Sequence, residues 1–242
     1  MSELADLLRE SNHTVVMTGA GMSTGSGLPD FRSNTGLWQN RDPAALASVD
    51  AMEHHRDDFF EFYRSRIEAL HGVEPNEGHR ILADWEKQGW VQNVITQNAD
   101  GLHQQAGSRN TAELHGSIAG LHCHSCGHPA ENSRYPDYDT ACPVCGGFLR
   151  PNIVLFGEIL PEKAITTAQQ EAARADLFLV LGTSLTVAPA SHFPLEAKQQ
   201  GARLVIINQT PTEMDEEADL VFHGEKISTV LREADACLQD GP

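Results

Sequence analysis

The sequence has no long apolar segment. None of its 242 residues belongs to a run of the roughly 18 apolar residues that a membrane-spanning helix requires. The first thirteen residues, MSELADLLRESNH, are polar and amphipathic and contain no apolar signal core. These features predict a cytoplasmic protein with one main domain and room for a smaller insertion.

Positive charge is also scarce. The chain has 17 lysine and arginine residues against 34 aspartate and glutamate residues, which gives a formal net charge of −17. A field of this sign repels phosphate backbones and anionic lipid surfaces. We therefore expect neither nucleic acid nor a membrane as a partner, and the sequence leaves the oligomeric state open.

Cysteine is rare, and four of the five cysteines form two close pairs. They occur as CHSC and CPVC, with 15 residues between the pairs. Two such pairs can bring four thiolates into a closed tetrahedron, which leaves no position for a catalytic water. The spacing predicts a structural Zn²⁺ site, with a redox-active dithiol pair as the alternative. The predicted metal ligands are Cys123, Cys126, Cys142 and Cys145.

Other candidate ligands lie close to these pairs. His122, His124 and His128 could compete for the metal, although four thiolates already complete the tetrahedron. The fifth cysteine, Cys237, lies in a C-terminal helical pattern and is expected to be a packing residue.

Short apolar runs alternate with segments of helical periodicity. The runs indicate buried parallel strands at 15–18, 91–96, 177–181, 204–208 and 220–222. Helical spacing covers 77–88, 161–173, 190–200 and 227–238. This alternation predicts an α/β fold with a doubly wound parallel sheet.

Two stretches interrupt the alternation. Residues 36–73 contain DDFFEFYRSRIEAL, which is typical of a helix, and residues 121–150 contain the paired cysteines. We interpret both as insertions that form a smaller second domain. The main domain is then expected to comprise residues 1–35, 74–120 and 151–242.

A glycine-rich segment follows the first predicted strand. It reads GAGMSTGSGLPDFRS, from Gly19 to Ser33, and glycine allows a sharp turn and close approach to a ligand. The dinucleotide fingerprint G-x-G-x-x-G is broken, because its third glycine position is Thr24. A carboxylate, an aromatic ring and a guanidinium follow in sequence, which favours a ligand-binding loop over an ordinary turn.

Polar segments follow three other predicted strands. These segments are TQNADGLHQQAG at 96–107, GTSLTVAPA at 182–190, and Asn208. Because the carboxyl ends of parallel strands meet at one edge of the sheet, we expect a shared ligand site there. Taken singly, Asn98 and Asp100 could instead be helix caps and Asn208 a turn former.

The ordered set of these motifs resembles the sirtuin family of NAD-dependent protein deacylases. Together with ELHGS at 113–117 and NIVLFGE at 152–158, the motifs extend through nearly the whole chain. The resemblance implies a Rossmann-type large domain and a small domain made of a zinc ribbon and a helical module. NAD, as co-substrate, and the acyl-lysine protein or peptide would meet in the cleft between them.

The resemblance also implies a set of NAD contacts. Those at the phosphate-binding turn and the following loop are Gly19, Ala20, Gly21, Ser23, Asp30, Phe31 and Arg32. Those in the ribose and nicotinamide pocket are Gln97, Asn98 and Asp100. The remaining contacts, toward phosphate, adenosine ribose and adenine, are Gly182, Thr183, Ser184, Asn208, Glu225 and Lys226. At Ala99 the family commonly has isoleucine, so the strength of inhibition by nicotinamide is not implied.

His115, within ELHGS, matches the catalytic histidine of the family. An imidazole can accept a hydroxyl proton near neutral pH. In the implied reaction, the acyl oxygen of a modified lysine attacks C1′ of the nicotinamide ribose and nicotinamide leaves. His115 then activates the ribose hydroxyls so that the 2′-oxygen attacks the alkylimidate intermediate, and water completes the release of free lysine and 2′-O-acyl-ADP-ribose.

Two further groups match the substrate side of the family. NIVLFGE resembles the strand that pairs with an extended peptide, and the implied peptide contacts are Val154, Phe156, Gly157, Glu158 and Val187. Tyr63 and Arg66 match the Tyr-x-x-Arg pair of sirtuins that act on succinyl-lysine or malonyl-lysine. Arginine suits a carboxylate because its planar fork binds both oxygens. The alternatives for this pair are a solvated helix face and an ionic role for neighbouring Arg64.

Competing functions remain open at the level of sequence. Mono-ADP-ribosyl transfer shares the first chemical step. A dehydrogenase with a structural zinc is disfavoured by the broken fingerprint and by the lack of an acidic residue after a second Rossmann strand. A zinc-ribbon module that binds nucleic acid is disfavoured by the acidic charge.

Overall fold

A computed structural model describes residues 2–33, 36–39 and 42–239. The α-helices are α1 (Ser2–Glu10), α2 (Pro43–Ala47), α3 (Val49–His54), α4 (Arg56–Ala69), α5 (Glu77–Gln88), α6 (Leu102–Ala106), α7 (Glu162–Arg174), α8 (Phe193–Gln199) and α9 (Ile227–Gln239). The strands are β1 (Thr14–Thr18), β2 (Asn93–Thr96), β3 (Thr111–Glu113), β4 (Gly116–Cys123), β5 (Pro129–Glu131), β6 (Leu149–Ile153), β7 (Leu177–Leu181), β8 (Arg203–Asn208) and β9 (Leu220–His223). Three ends of the segments expected for the main domain, residues 1, 35 and 242, lie outside the described residues.

The main sheet is parallel throughout its described strands. Their order is β3-β2-β1-β7-β8-β9. After β1 the chain forms β2 and β3 on one side of it, and later forms β7, β8 and β9 on the other side. The strand order reverses between β1 and β7. In open parallel sheets such a switch point leaves a crevice at the carboxyl ends of the strands.

Helices cover both faces of this sheet. Because strand side chains alternate in direction, Val16 packs into one core with α1, α5 and α9, whereas Val15 and Met17 pack into the other with α7 and α8. Both faces are buried, which explains why β1, β7 and most of β8 read as continuous apolar runs. The predicted doubly wound α/β fold is confirmed.

A second, smaller layer combines α2, α3 and α4 with an antiparallel sheet. The order of this sheet is β5-β4-β6, and it carries the paired cysteines. Phe59 and Tyr63 of α4 share a core with Tyr135, Leu149 and two of the paired cysteines, Cys123 and Cys142. The two sequence insertions, residues 36–73 and 121–150, therefore pack against each other, although the 47 residues 74–120 separate them in the sequence.

The sequence predicted some elements less well than others. Strand β2 begins at Asn93 rather than at residue 91, and the three-residue strand β3 was not anticipated. NIVLFGE was interpreted as a strand, but β6 ends at Ile153 and only Phe156 forms a further isolated bridge, with Ser48. No helix in the described part of the chain is long and apolar enough to cross a membrane.

Candidate functional site

A cleft of about 1270 Å³ lies at the carboxyl ends of the main strands and extends to the small layer. All of the residues implied to contact NAD line it, as do His115 and the residues implied to contact acyl-lysine. The structure thus brings together side chains from both layers that are up to about 200 positions apart in the sequence. Their individual roles stay predictions.

The glycine-rich segment packs tightly against the end of β7. It forms a 3₁₀ helix, Ala20–Ser26, that begins directly after β1. A Cβ atom at Gly19 would lie 2.6 Å from Cβ of Thr183, and one at Gly21 would lie 2.8 Å from Cα of Gly182. From the sequence we expected these glycines to allow close approach of a ligand. In the structure they allow close approach of Gly182 and Thr183 of the protein itself.

The side chains of this turn bond to the segment after β2. Ser23 Oγ donates to Asp100 Oδ2 at 2.6 Å, and Asn98 Nδ2 donates to the Gly19 carbonyl at 2.9 Å. Asp100 also accepts from the Leu102 amide at the start of α6, but the N-cap residue of this helix is Gly101 and not Asp100. These residues thus have structural contacts and also line the cleft, and their contact with a ligand stays a prediction.

Three buried polar residues, Thr96, Thr18 and His103, hold the segment that contains Asn98. Thr96 Oγ1 accepts from the Asn98 amide at 3.0 Å and from Thr18 Oγ1 at 2.8 Å, and Thr18 also contacts Nε2 of His103 at 2.9 Å. Burial lowers the pKa of His103 to about 3, so its ring is neutral at ordinary pH. These contacts hold the backbone of 96–98 against β1.

The ring of His115 is oriented by a backbone carbonyl. Its Nδ1 lies 2.9 Å from the carbonyl oxygen of Gln97. Because a carbonyl only accepts, Nδ1 carries the proton, and the neutral ring has its lone pair on Nε2. Among the described residues none hydrogen-bonds to Nε2, so this atom is left to accept a proton from a group in the cleft.

The pH dependence of activity should reflect this environment. Burial lowers the pKa of His115 below its usual value of 6.5, and the hydrogen bond to Gln97 opposes the shift. The neutral, basic form therefore persists below pH 6.5, and activity should fall only as the pH drops through the lowered pKa. A profile of kcat/KM from pH 5 to 8 should place its acidic midpoint below 6.5; a midpoint above 6.5 would contradict this assignment.

Arg64 and Arg66 of helix α4 point in different directions. Arg64 pairs with Glu61 and Glu68 outside the cleft, whereas Arg66 lines the cleft and stacks over the ring of Phe31 at 5.1 Å. Within the described residues Arg66 has no ion-pair partner. Tyr63 beside it is 2% exposed, and burial raises the pKa of its hydroxyl to about 12, so the hydroxyl stays protonated. Arg66 thus provides a charged hydrogen-bond donor in the cleft lining, and Tyr63 provides a neutral one.

The loop after β6 forms another wall. Phe156 is 44% exposed and Ile159 is 93% exposed at the mouth of the cleft. The Glu158 carboxylate is bonded to Arg150 and to the Leu155 amide, so it organises the loop from within. Val187 lies on the loop after β7, which also lines the cleft.

The residues implied to meet the adenosine half of NAD lie toward β8 and β9. Asn208 is largely buried at the end of β8, and its Nδ2 donates to the Thr210 carbonyl at 2.8 Å, which is the turn-forming contact of the alternative interpretation. Ser184 contacts Thr186, while Glu225 and Lys226 are exposed at the rim. Gln97 joins this region to the centre, because its Nε2 donates to Thr183 Oγ1.

The four paired cysteines form a separate cluster. Neighbouring sulfur atoms lie 3.4, 3.5 and 3.7 Å apart. Four sulfurs bound 2.3 Å from one Zn²⁺ would be about 3.8 Å apart, so the cluster fits this ion. Backbone amides of Val144 and Gly147 point at two of the sulfurs, as in a zinc knuckle. None of these cysteines lines the cleft, which agrees with a structural metal.

Several residues that line the cleft or organise its walls were not identified from the sequence. Leu37, Trp38 and Ala47 line the cleft from the small layer, and Arg150 organises its loop without lining it. Trp38 stacks on Phe31 with ring centroids 5.2 Å apart. An unusual aromatic in the predicted helical insertion was the one signal that could have identified Trp38.

Comparison with known proteins gives a consistent result. A family model described as the Sir2 family matches residues 19–189. NAD-dependent protein deacetylase 1 of Geobacillus kaustophilus is 57% identical over 227 residues, which cover 93% of each chain. The NAD-dependent protein deacetylase of Oceanobacillus iheyensis is 52% identical over 230 residues, covering 95% of this chain and 97% of the relative.

Solved structures show the same likeness. A Sir2 structure with a p53 peptide and NAD⁺ is 36% identical, with a TM-score of 0.87 over 97% of this chain and 96% of that one. A Sir2 variant with deacetylated p53 peptide and 3′-O-acetyl-ADP-ribose is also 36% identical, with a TM-score of 0.93 over 100% and 98% of the two chains.

Proposed function

This chain belongs to the Sir2 family, and from that premise we propose that it is an NAD-dependent protein-lysine deacetylase. The observation that carries the proposal is the position of His115 in one continuous cleft, with Nε2 open and with the implied NAD and peptide residues around it. Acetyl-lysine, NAD and one water are consumed, and the products are free lysine, nicotinamide and O-acetyl-ADP-ribose.

The part of the cleft at the ends of the main strands is proposed to hold NAD. NAD supplies a ribose carbon whose bond to nicotinamide is broken when the acetyl oxygen of the substrate attacks it. The turn at 19–23 lines the cleft at the end of β1, and its match to the phosphate-binding turn of the family supports a role in holding the pyrophosphate of NAD. Asn98 and Asp100 are held by Ser23 and Thr96, so their positions are fixed before a ligand arrives.

His115 acts as the general base in this proposal. The Gln97 carbonyl fixes the tautomer, and Nε2 takes a proton from a ribose hydroxyl so that the oxygen can attack the acyl carbon. As the proton moves to Nε2, the imidazolium keeps its hydrogen bond to Gln97, which stabilises the charge. The loop after β6 and the loop after β7 form the walls that receive the peptide.

The direct test is to incubate the zinc-loaded protein with NAD and an acetyl-lysine peptide. Nicotinamide should appear in equal amount to deacetylated peptide. Formation of NADH without deacetylation would favour a dehydrogenase, and transfer of labelled ADP-ribose to protein without deacetylation would favour an ADP-ribosyltransferase. Absence of nicotinamide release with any acylated peptide would overturn the proposal.

A second activity, removal of succinyl and malonyl groups, is supported by Arg66. A guanidinium that lines the cleft without an ion-pair partner among the described residues offers a bidentate site for a distal carboxylate. Burial lowers the pKa of Arg66, yet arginine stays charged at any pH compatible with folding. Tyr63 can donate a further hydrogen bond.

Replacement of Arg66 by methionine should therefore lower the ratio of succinyl to acetyl turnover. We expect the ratio of kcat/KM values to fall about tenfold or more, because a hydrogen-bonded charge contributes roughly 1.5–3 kcal/mol. Arg64→Met is the matched control, since Arg64 lies on the same helix but outside the cleft. An equal loss on both substrates, or no change in the ratio, would exclude carboxylate recognition by Arg66.

Acyl-lysine proteins or peptides are the partners that this function requires. A cytoplasmic location, and the lack of nucleic-acid and membrane partners, stay predictions from the composition and the charge.

A further inference from the structure

Arg150 is a buried cation at the base of the loop that walls the cleft. It belongs to β6 of the cysteine-bearing sheet, and its side chain is only 3% exposed. It does not line the cleft itself. A charge this deeply buried needs strong partners. Both terminal nitrogens of Arg150 have them, whereas its buried Nε has no hydrogen-bond partner among the described residues.

The guanidinium bonds to two points of the loop at once. Nη1 donates to Oε1 of Glu158, and Nη2 donates to Oε2 of Glu158 at 2.9 Å and to the Ile153 carbonyl at 2.7 Å. Glu158 Oε2 also accepts from the Leu155 amide at 2.8 Å. The two side chains therefore close the segment 153–158 into a compact loop around one ion pair, which we call the Arg150 clamp.

The charge state of the carboxylate supports this geometry. Burial alone would raise the pKa of Glu158, but the hydrogen bonds from Arg150 and Leu155 outweigh it and lower the pKa. The carboxylate is thus ionised at neutral pH. A bidentate pair between an ionised carboxylate and arginine is among the stronger protein hydrogen-bonding arrangements.

The clamped loop is also connected to the rest of the site through the backbone. The Val154 amide donates to the carbonyl of His115 at 2.9 Å. The Phe156 amide donates to Ala47 at 2.9 Å, and the Phe156 carbonyl accepts from Val49 at 3.1 Å. One segment therefore bridges His115, the helical module and the zinc sheet, and its shape determines where the peptide wall lies.

We propose that Arg150 is a positioning residue for the acyl-peptide: its clamp on Glu158 holds loop 153–158 in the conformation that receives the substrate. This rests on the proposed deacetylase function. Lysine cannot replace it fully, because one ammonium group cannot bond both oxygens of Glu158 and the Ile153 carbonyl in the same planar geometry.

The first test does not depend on catalysis. Backbone hydrogen exchange of peptides covering 153–158 is compared between the wild-type protein and Arg150→Met, each with its zinc content measured. We expect faster exchange in this segment and unchanged exchange in the knuckles at 123–126 and 142–147. Unchanged exchange at 153–158 in a folded, zinc-loaded variant would overturn the clamp even if the deacetylase function proved wrong.

The second test separates positioning from general stability. In steady-state deacetylation, Arg150→Met should raise KM for the acetyl-peptide about tenfold, in keeping with the loss of a charged hydrogen bond, and leave KM for NAD within about twofold. Arg150→Lys should lie between wild type and Arg150→Met. A lower melting temperature with both KM values unchanged would reduce Arg150 to a structural residue and overturn the proposal.

Two further variants complete the design. Glu158→Gln keeps the size and the acceptor for Leu155 but removes the charge, so it should reproduce the rise in peptide KM and serves if Arg150→Met does not fold. Arg174→Met is the matched control, because Arg174 is an exposed arginine that pairs with Glu171 on α7 and does not line the cleft. If Glu158→Gln folds with a wild-type peptide KM, the clamp does not position substrate.

Discussion

Replacing His115 with alanine should reduce kcat/KM for deacetylation at least about 100-fold, because a positioned general base typically contributes a factor of 10² to 10⁴. The fold should survive. The ring makes a single hydrogen bond, to the Gln97 carbonyl, and is partly exposed to the cleft. Zinc content should also be unchanged, because His115 is not among the clustered metal-binding groups.

A second histidine provides the control for this experiment. His54 is exposed on α3, where it contacts Asp50, and it does not line the cleft. His54→Ala should retain wild-type deacetylation, melting temperature and zinc. If His115→Ala kept activity comparable to that of His54→Ala, the general-base role would have to move to another group.

Replacing Cys142 with alanine should remove the zinc and unfold the small layer. Cys142 is 4% exposed and packs in the core that also contains Phe59, Tyr135 and Leu149. Zinc binding in small zinc-dependent folds is worth on the order of 10 kcal/mol, which exceeds the stability that this small sheet can supply alone. Metal analysis should show a fall from about one zinc per chain to nearly none.

Loss of the zinc should also abolish deacetylation, although no cysteine lines the cleft. Strand β6 follows the second cysteine pair and leads into loop 153–158, so disorder in the ribbon spreads to the peptide wall. Cys237→Ala is the control. Cys237 of α9 packs against the core on one face of the main sheet, so this variant should keep both zinc and activity. Retention of full zinc content and melting temperature in Cys142→Ala would contradict the structural-metal assignment.

Local pattern was sufficient for much of the fold. Continuous apolar runs, separated by segments of helical periodicity, identified the principal strands. Strands that are buried on both faces have apolar residues at nearly every position, so the runs are easy to recognise. The zinc cluster followed from the spacing of two CxxC pairs, because each pair places its sulfurs together by local geometry alone. The family resemblance then collected residues of the cleft that periodicity could not have joined.

The shortest strands were not predicted. The strand β3 has three residues and β5 has three, and neither has enough positions to establish a period. Arg150 was missed for a different reason. Nothing in the letters LRPNI distinguishes a buried, paired arginine from an exposed one, because its partner Glu158 acts only once the loop has turned back on β6.

The amino-acid sequence by itself determined the metal-ligand set, the class of the main sheet and the family, since each depends on contacts between near neighbours or on an ordered series of motifs. Only the tertiary structure decided that Arg66 rather than Arg64 enters the cleft, that His115 carries its proton on Nδ1, and that Arg150 closes on Glu158. These properties arise from the direction of side chains and from backbone groups that packing brings together. Spacing along the chain does not encode them.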